Sequence, residues 1–172
     1  KINNFYQDIS HNDLISVYAL RFLILTAART KEVIEAEFDE FDLEDAIWRI
    51  PGHKMKAKKE HKIPLSKEAI KILKTMRRKH NYKFVFTNIM TEKHISNGAM
   101  LVFIKKNFPD LKITVHGFRS TFRTWSSEIR SYDQNMVEFA LAHQLPSRTQ
   151  AAYMRTDLFD KRIELMRDWE RF

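Results

Sequence analysis

A mainly helical domain with one small antiparallel sheet is what this sequence predicts, on three observations. Three glycines and four prolines in 172 residues leave few helix breakers. Apolar residues recur at helical spacing along most of the chain. The clearest strand-like runs lie close together, on either side of a lysine-rich segment. In chain order, Asn12 to Ala28 carries Leu14, Val17, Tyr18, Leu20, Phe22, Leu23 and Leu25, the density of a largely buried helix. Thr30 is placed to cap a short helix through Glu35. Ala46 to Ile50 reads as a strand ended by Pro51-Gly52 and His61 to Leu65 as its partner, which makes the stretch between them a hairpin tip. Ser66 opens a helix with Ile70, Leu73 and Met76 at helical spacing as far as Arg78. Phe84 to Phe86 reads as a short strand. Ser96 is placed to cap a helix through Lys106, and Thr114 one that carries Phe118, Phe122 and Trp125. Asp133 starts one containing Val137, Phe139 and Leu141. From Asp157 onward, Phe159, Ile163, Met166 and Trp169 form the stripe of an amphipathic helix.

The length suits one domain with its own core, and 44 % apolar residues argue against disorder. No window reaches the roughly 18 consecutive apolar residues of a membrane helix, and no signal-peptide pattern opens the chain. The absence of cysteine excludes disulfides, thiolate zinc sites and cysteine nucleophiles, and is compatible with a reducing cytoplasm. Because it begins with Lys1 rather than Met, the chain is expected to be a fragment of a longer protein. Net charge is +8, which favours a polyanionic partner. The excess is concentrated: Gly52 to Lys83 holds twelve Lys/Arg against Glu60 and Glu68, whereas Glu35 to Asp45 holds seven acids and no base.

Several residues invite chemistry, but each has an ordinary reading when taken singly. Arg29 closes an apolar helix in Thr-Ala-Ala-Arg, where a surface arginine suits the helix dipole. His116 and Arg119 lie three apart in His-Gly-Phe-Arg, hence on one helical face. His143 in Leu-Ala-His reads as a core or loop histidine, and Tyr153 in Ala-Ala-Tyr-Met-Arg as a packing tyrosine. Lys56 has nothing local to set it apart from Lys54, Lys58 or Lys59.

Order and context change these readings. An Arg after a buried helix precedes a Lys in a hairpin that ends Ile-Pro-Leu-Ser. Next come His-x-x-Arg and Leu-Ala-His, with Tyr ten residues further on. The supporting motifs are Thr26-Ala27-Ala28-Arg29 with Glu32, Trp48-Arg49-Ile50-Pro51, Met55-Lys56, and His61-Lys62-Ile63-Pro64-Leu65-Ser66. They continue with His116-Gly117-Phe118-Arg119, Leu141-Ala142-His143 and Ala151-Ala152-Tyr153-Met154-Arg155. Over nearly its whole length the chain resembles the tyrosine recombinase family, and within it the phage and genomic-island integrases. Leu-Ala-His stands where many relatives have Leu-Gly-His.

The resemblance implies the DNA breaking-rejoining catalytic-domain fold for residues 1–172, without the upstream core-binding and arm-binding domains. It implies site-specific recombination through a covalent 3′-phosphotyrosyl intermediate, with Tyr153 as nucleophile. Arg29 and Arg119 match the family's two catalytic arginines, Lys56 the hairpin lysine, and His116 and His143 the active-site histidines. Lys56 is preferred to Lys54 because it stands eight residues before Pro64.

The chemistry needs these residue types. Charge accumulates on the non-bridging oxygens of a phosphate under attack, and two guanidiniums neutralise it bidentately, without a metal. A phenol with an ordinary pKa of about 10 needs a base such as His116, and the departing 5′ oxygen needs an acid such as Lys56. Glu32, three residues after Arg29, is placed to hold that guanidinium. Rejoining draws on the energy kept in the phosphotyrosyl bond, so neither a cofactor nor ATP is implied. The run Asp39, Glu40, Asp42, Glu44, Asp45 lacks the glycine and terminal glutamate of a calcium loop and reads as a solvated turn.

Implied partners are double-stranded DNA attachment sites, gripped along the backbone by Lys54, Lys58, Lys59 and Lys62, and other protomers in a tetramer. Accessory DNA-bending proteins are further partners of such enzymes, and no membrane is expected. The last helix is expected either to dock on a neighbouring protomer or to pack on its own core. Two other readings share many of these features. A type IB topoisomerase would use the same residues, and a catalytically silent DNA-binding module would use the helix from Thr114 for groove contact.

Overall fold

The computed structural model describes residues 2–143 and 158–172. Helix α1 (Ile2–Ile9), not read from the sequence, buries Phe5 and Ile9. It leads into α2 (Ile15–Thr26), whose every residue from Ala19 to Thr26 is buried and against which α1, α3, α4, α5 and the last helix all pack. Its C-terminal half is apolar around nearly the whole circumference because it has no solvent face, and the one charge there, Arg21, is paired with Glu68 at 2.6 Å. It ends where Ala27 turns left-handed at φ 50°. The chain is then extended at Arg29, and α3 follows (Thr30–Ile34). Thr30 is thus the first helical residue and not the cap; the Glu32 carboxylate instead accepts the Arg29 N–H at 2.8 Å.

Strands β1 (Phe41–Asp42), β2 (Ile47–Ile50) and β3 (His61–Pro64) form an antiparallel sheet in that order, with Trp48 opposite Ile63 and Ile50 opposite His61. Trp48 anchors the sheet to α2, its ring 5.4 Å from Phe22 and 5.3 Å from Phe41. The hairpin tip folds back tightly. A Cβ on Gly52 would stand 2.9 Å from the Lys58 carbonyl oxygen, so only glycine fits there without displacement. Helix α4 (Lys67–Lys79) starts at Ser66, whose hydroxyl accepts the Ala69 N–H. Phe84–Phe86 is not a strand: Phe84 makes a single bridge to Glu37, and the chain bends at Val85 and Phe86. The regular strands here are β4 (Thr87–Asn88) and β5 (Lys93–His94).

Helix α5 (Ala99–Asn107) starts two residues later than the Ser96 cap implied, with Gly98 in the cap position. Helix α6 (Gly117–Thr124) is capped as expected, with the Thr114 hydroxyl accepting the Gly117 N–H at 3.0 Å. A π-turn over Trp125–Ile129 continues α6, and α7 (Gln134–Ala140) is capped by Asp133.

The final helix, α8 (Phe159–Arg171), packs on its own chain. Its buried stripe is Arg162, Leu165, Met166 and Trp169; Ile163, expected on that stripe, is 46 % exposed. The Trp169 indole donates to the Ile24 carbonyl at 2.6 Å and packs against Phe122 and Trp125. Arg162 donates to the Lys62 carbonyl at 2.7 Å, pinning β3. No helix among the described residues is long and apolar enough to cross a membrane.

Two buried polar arrangements set the sheet in place. The acidic segment is not wholly solvated, since Glu40 is buried, accepting from the Trp48 indole and the Lys54 ammonium. Lys54 also reaches Glu37 at 3.0 Å and the Glu35 carbonyl at 2.8 Å. The second arrangement centres on His61. Burial and the Arg162 charge bring its pKa down to about 4, against the pull of Glu32 and a hydrogen bond with the Ala140 backbone.

Removing the cation takes the counter-charge from buried Glu40, while Glu37 keeps Lys83 at 3.1 Å, so Lys54→Met is expected to cost about 3 kcal/mol in urea unfolding. His61 is neutral when folded but protonates when unfolded near its ordinary value. Folding stability therefore falls as pH drops from about 6.5 to about 4 and has no further contribution from this group below that. His61→Gln should flatten that dependence by about 3 kcal/mol across this pH range, measured by denaturation at each pH.

Candidate active site

The ends of α2 and α7 meet the start of α3 and one face of α6, and there two arginines stand side by side. Arg119, on the inner face of α6, is 5 % exposed. Its Nη1 donates to the Ala27 carbonyl, and its Nη2 donates to the Leu141 carbonyl at 2.8 Å. Arg29 donates to the same Leu141 carbonyl at 3.5 Å, to the Ala142 carbonyl at 3.4 Å and to Glu32 Oε1 at 2.8 Å. The acceptors are the carbonyls that helices leave unpaired at their C-terminal ends, where the dipole also favours cations. Burial and the adjacent Arg29 charge lower the Arg119 pKa to about 10, while Glu32 and Glu138 oppose the fall. It remains a cation at neutral pH.

His143 completes the cluster. Arg119 Nη2 donates to its Nε2 at 3.3 Å, and its Nδ1 faces Glu138 Oε2 at 2.7 Å. Glu138 Oε1 accepts from Arg123 Nε at 2.8 Å. Burial acts to raise the Glu138 pKa, but the hydrogen bonds from His143 and Arg123 outweigh it and hold the carboxyl below its usual range.

Of the residues singled out in the sequence, the fold brings together Arg29, Glu32, Arg119 and His143. His116 lies one turn before Arg119 at the exposed start of α6, its carbonyl accepting the Arg119 N–H at 3.1 Å. Lys56 is exposed on the hairpin tip and hydrogen-bonds to none of the cluster. Lys58 and Lys59 share that tip, and Lys62 lies half-exposed on β3. Lys54 differs, because its ammonium is turned inward to Glu37 and Glu40 and its side chain is 12 % exposed. Tyr153 lies outside the described residues.

Glu138 and His61 were missed as parts of this neighbourhood. A carboxylate five residues before a histidine crosses a helix end, where helical spacing no longer says which side chains meet. His61 sits in a strand where sequence shows only alternation. Ala142 explains a departure noted in the sequence: its φ of 50° is the conformation in which glycine costs least.

The arrangement offers a planar array of donors, two cations and an imidazole, at a place where Arg29 is still one-third exposed. Chemically it is a site for a tetrahedral oxyanion.

Comparison with known proteins places the chain in a family. The Phage integrase family matches residues 1–158. Prophage integrase IntZ of Escherichia coli (strain K12) is 31 % identical over 98 % of this chain and 42 % of its own length. The integrase of Shigella phage Sf6 is 31 % identical over 91 % of this chain and 41 % of its own. The chain thus spans about two fifths of the length of these curated relatives. Among solved structures, XerA recombinase superposes with a TM-score of 0.66 at 18 % identity, over 97 % of this chain and 60 % of that one. A lambda integrase tetramer bound to a Holliday junction gives 0.60 at 17 %, over 88 % and 45 %. These two likenesses show the tyrosine recombinase fold, and with the sequence matches they establish that the chain belongs to the phage integrase family.

Proposed function

We propose that this chain is the catalytic domain of a site-specific recombinase that cuts and rejoins DNA through Tyr153. The carrying observation is the Arg29–Arg119 pair, two guanidiniums that share the Leu141 carbonyl and stand beside an imidazole. The Tyr153 oxygen attacks a backbone phosphorus, forming a Tyr–O–P bond as the P–O5′ bond breaks. His116 takes the phenol proton and Lys56 gives one to the departing 5′ oxygen. Both arginines neutralise the non-bridging oxygens, and His143 hydrogen-bonds one of them. In rejoining, a 5′ hydroxyl attacks the phosphotyrosine and the phenol leaves. Since one ester replaces another, no external energy is needed.

Lys58, Lys59 and Lys62 supply exposed charge for the DNA backbone around the tip that carries Lys56. The inward-facing ammonium of Lys54 makes it the weakest of the four for that role. By analogy with the DNA-bound lambda integrase dimer and tetramer, the partners are duplex attachment sites and further protomers of the whole protein. Accessory DNA-bending proteins belong to the same proposal.

A denaturing gel of DNA incubated with the protein in EDTA tests this reading. A detergent-resistant protein–DNA adduct is expected from wild type and none from Tyr153→Phe; an adduct that survives the substitution would reassign the nucleophile. Arg29→Lys keeps a charge but loses the planar fork, so adduct formation should fall by about 100-fold in the same gel while the melting temperature stays near wild type. Joining of strands from two different duplexes, as opposed to relaxation of one plasmid, separates a recombinase from a topoisomerase.

A further inference from the structure

We infer that Glu138 is a positioning residue for His143, fixing where the imidazole carries its proton and which nitrogen meets the phosphate; this rests on the transesterification reading above. The backbone sets up the contact. Helix α7 ends with the His143 N–H bonded to the Glu138 carbonyl at 2.9 Å and the Ala142 N–H to the Phe139 carbonyl at 3.0 Å, around left-handed Ala142. That terminator folds His143 back over the turn bearing Glu138. The side chains then meet, Nδ1 to Oε2, at 2.7 Å.

One donor and one acceptor specify the imidazole's state. Arg119 Nη2 can only donate, so Nε2 opposite it must offer a lone pair, and the ring proton sits on Nδ1, bonded to Glu138. Arg119 cannot swing to relieve this, being tied to the Ala27 and Leu141 carbonyls. Glu138 is in turn constrained from two sides, because its other oxygen accepts from Arg123 Nε at 2.8 Å. Facing two donors takes two acceptor oxygens, which a carboxylate has and an amide lacks.

The charged groups around the ring are thus Arg119 with Arg29 behind it, Glu138 with Arg123 behind it, and Glu32 on the far side of Arg29. A phosphate oxygen that displaces the Arg119 contact leaves Nε2 facing an anion. With Nδ1–H held on Glu138, a proton taken up from solvent at Nε2 is then donated to that oxygen as a hydrogen bond. Without Glu138 the ring is free to carry its only proton on either nitrogen and to rotate away from the phosphate.

Two readouts on one set of variants test this. The 15N shifts of the His143 ring should report the Nδ1–H form in wild type and a mixture in Glu138→Ala. Adduct formation in Glu138→Ala should fall by about 10- to 100-fold, the size of effect typical for groups that orient a ligating histidine. Glu138→Gln should be similarly impaired, because its amide must face one donor with another. Adding Arg123→Ala should restore part of the loss by freeing the amide oxygen for Nδ1–H.

An unchanged 15N pattern in Glu138→Ala, or adduct formation within about twofold of wild type, would overturn the assignment. If wild type itself forms no adduct, the transesterification reading fails, and the 15N pattern alone then decides whether Glu138 positions His143.

Discussion

Two guanidiniums held side by side is the constraint around which the rest of this structure is arranged. Bringing like charges together in a largely buried place is unfavourable, and the lowered Arg119 pKa records that cost. What offsets it is a set of fixed dipoles: the carbonyls of Ala27, Leu141 and Ala142, with Glu32 beside them. Those carbonyls are free because α2 and α7 stop just there, each at an alanine in the left-handed conformation, Ala27 and Ala142. Left-handed alanines are strained by about 1 kcal/mol each, so the turns persist because the surrounding packing dictates them. An anion arriving at such a site meets donors already oriented, with no helix end left to rearrange.

The same constraint explains the scaffold. Three segments distant in sequence must converge to place Arg29, Arg119 and His143, and they meet at the C-terminal end of α2, where Arg119 bonds the Ala27 carbonyl. The sheet carries the lysine-rich tip on the same framework. Its strand β3 is tied to α8 by Arg162 and lies against the end of α7 through His61. A half-buried neutral histidine and a buried arginine therefore connect the tip that would meet DNA with the helix end that presents His143. In sequence, His143 and α8 bracket Tyr153, so both flanks of the proposed nucleophile are anchored to the arginine cluster or its supports.

Much of this was legible in the sequence because local signals agreed with tertiary demands. Ser66, Thr114 and Asp133 cap as their positions imply, and the Pro51-Gly52 turn ends β2. Arg29, Glu32, Arg119 and His143 do meet, as the order of motifs implied. The errors have physical causes. Ile163 fits the apolar stripe of α8 by spacing, but the buried face instead takes Arg162, whose long side chain reaches the β3 backbone. Glu40 looked solvated among acids because its partners, Trp48 and Lys54, come from the next strand and the turn beyond it. The same pairing draws Lys54 inward, which no count of lysines in a basic tip could reveal. Helix α1 went unread although Ile2, Phe5, Tyr6 and Ile9 repeat at helical spacing, because eight residues give a short pattern. Glu138 was hidden by the helix end that creates its contact.

The most direct measurement is to trap the protein on DNA in EDTA, digest both polymers, and locate the nucleotide remnant by mass spectrometry. A remnant on the phenol of Tyr153, within the peptide Ala151–Arg155, is what a guanidinium-assisted tyrosine transesterification requires. A remnant on any other residue, or covalent product that appears only when a divalent metal is supplied, would contradict it.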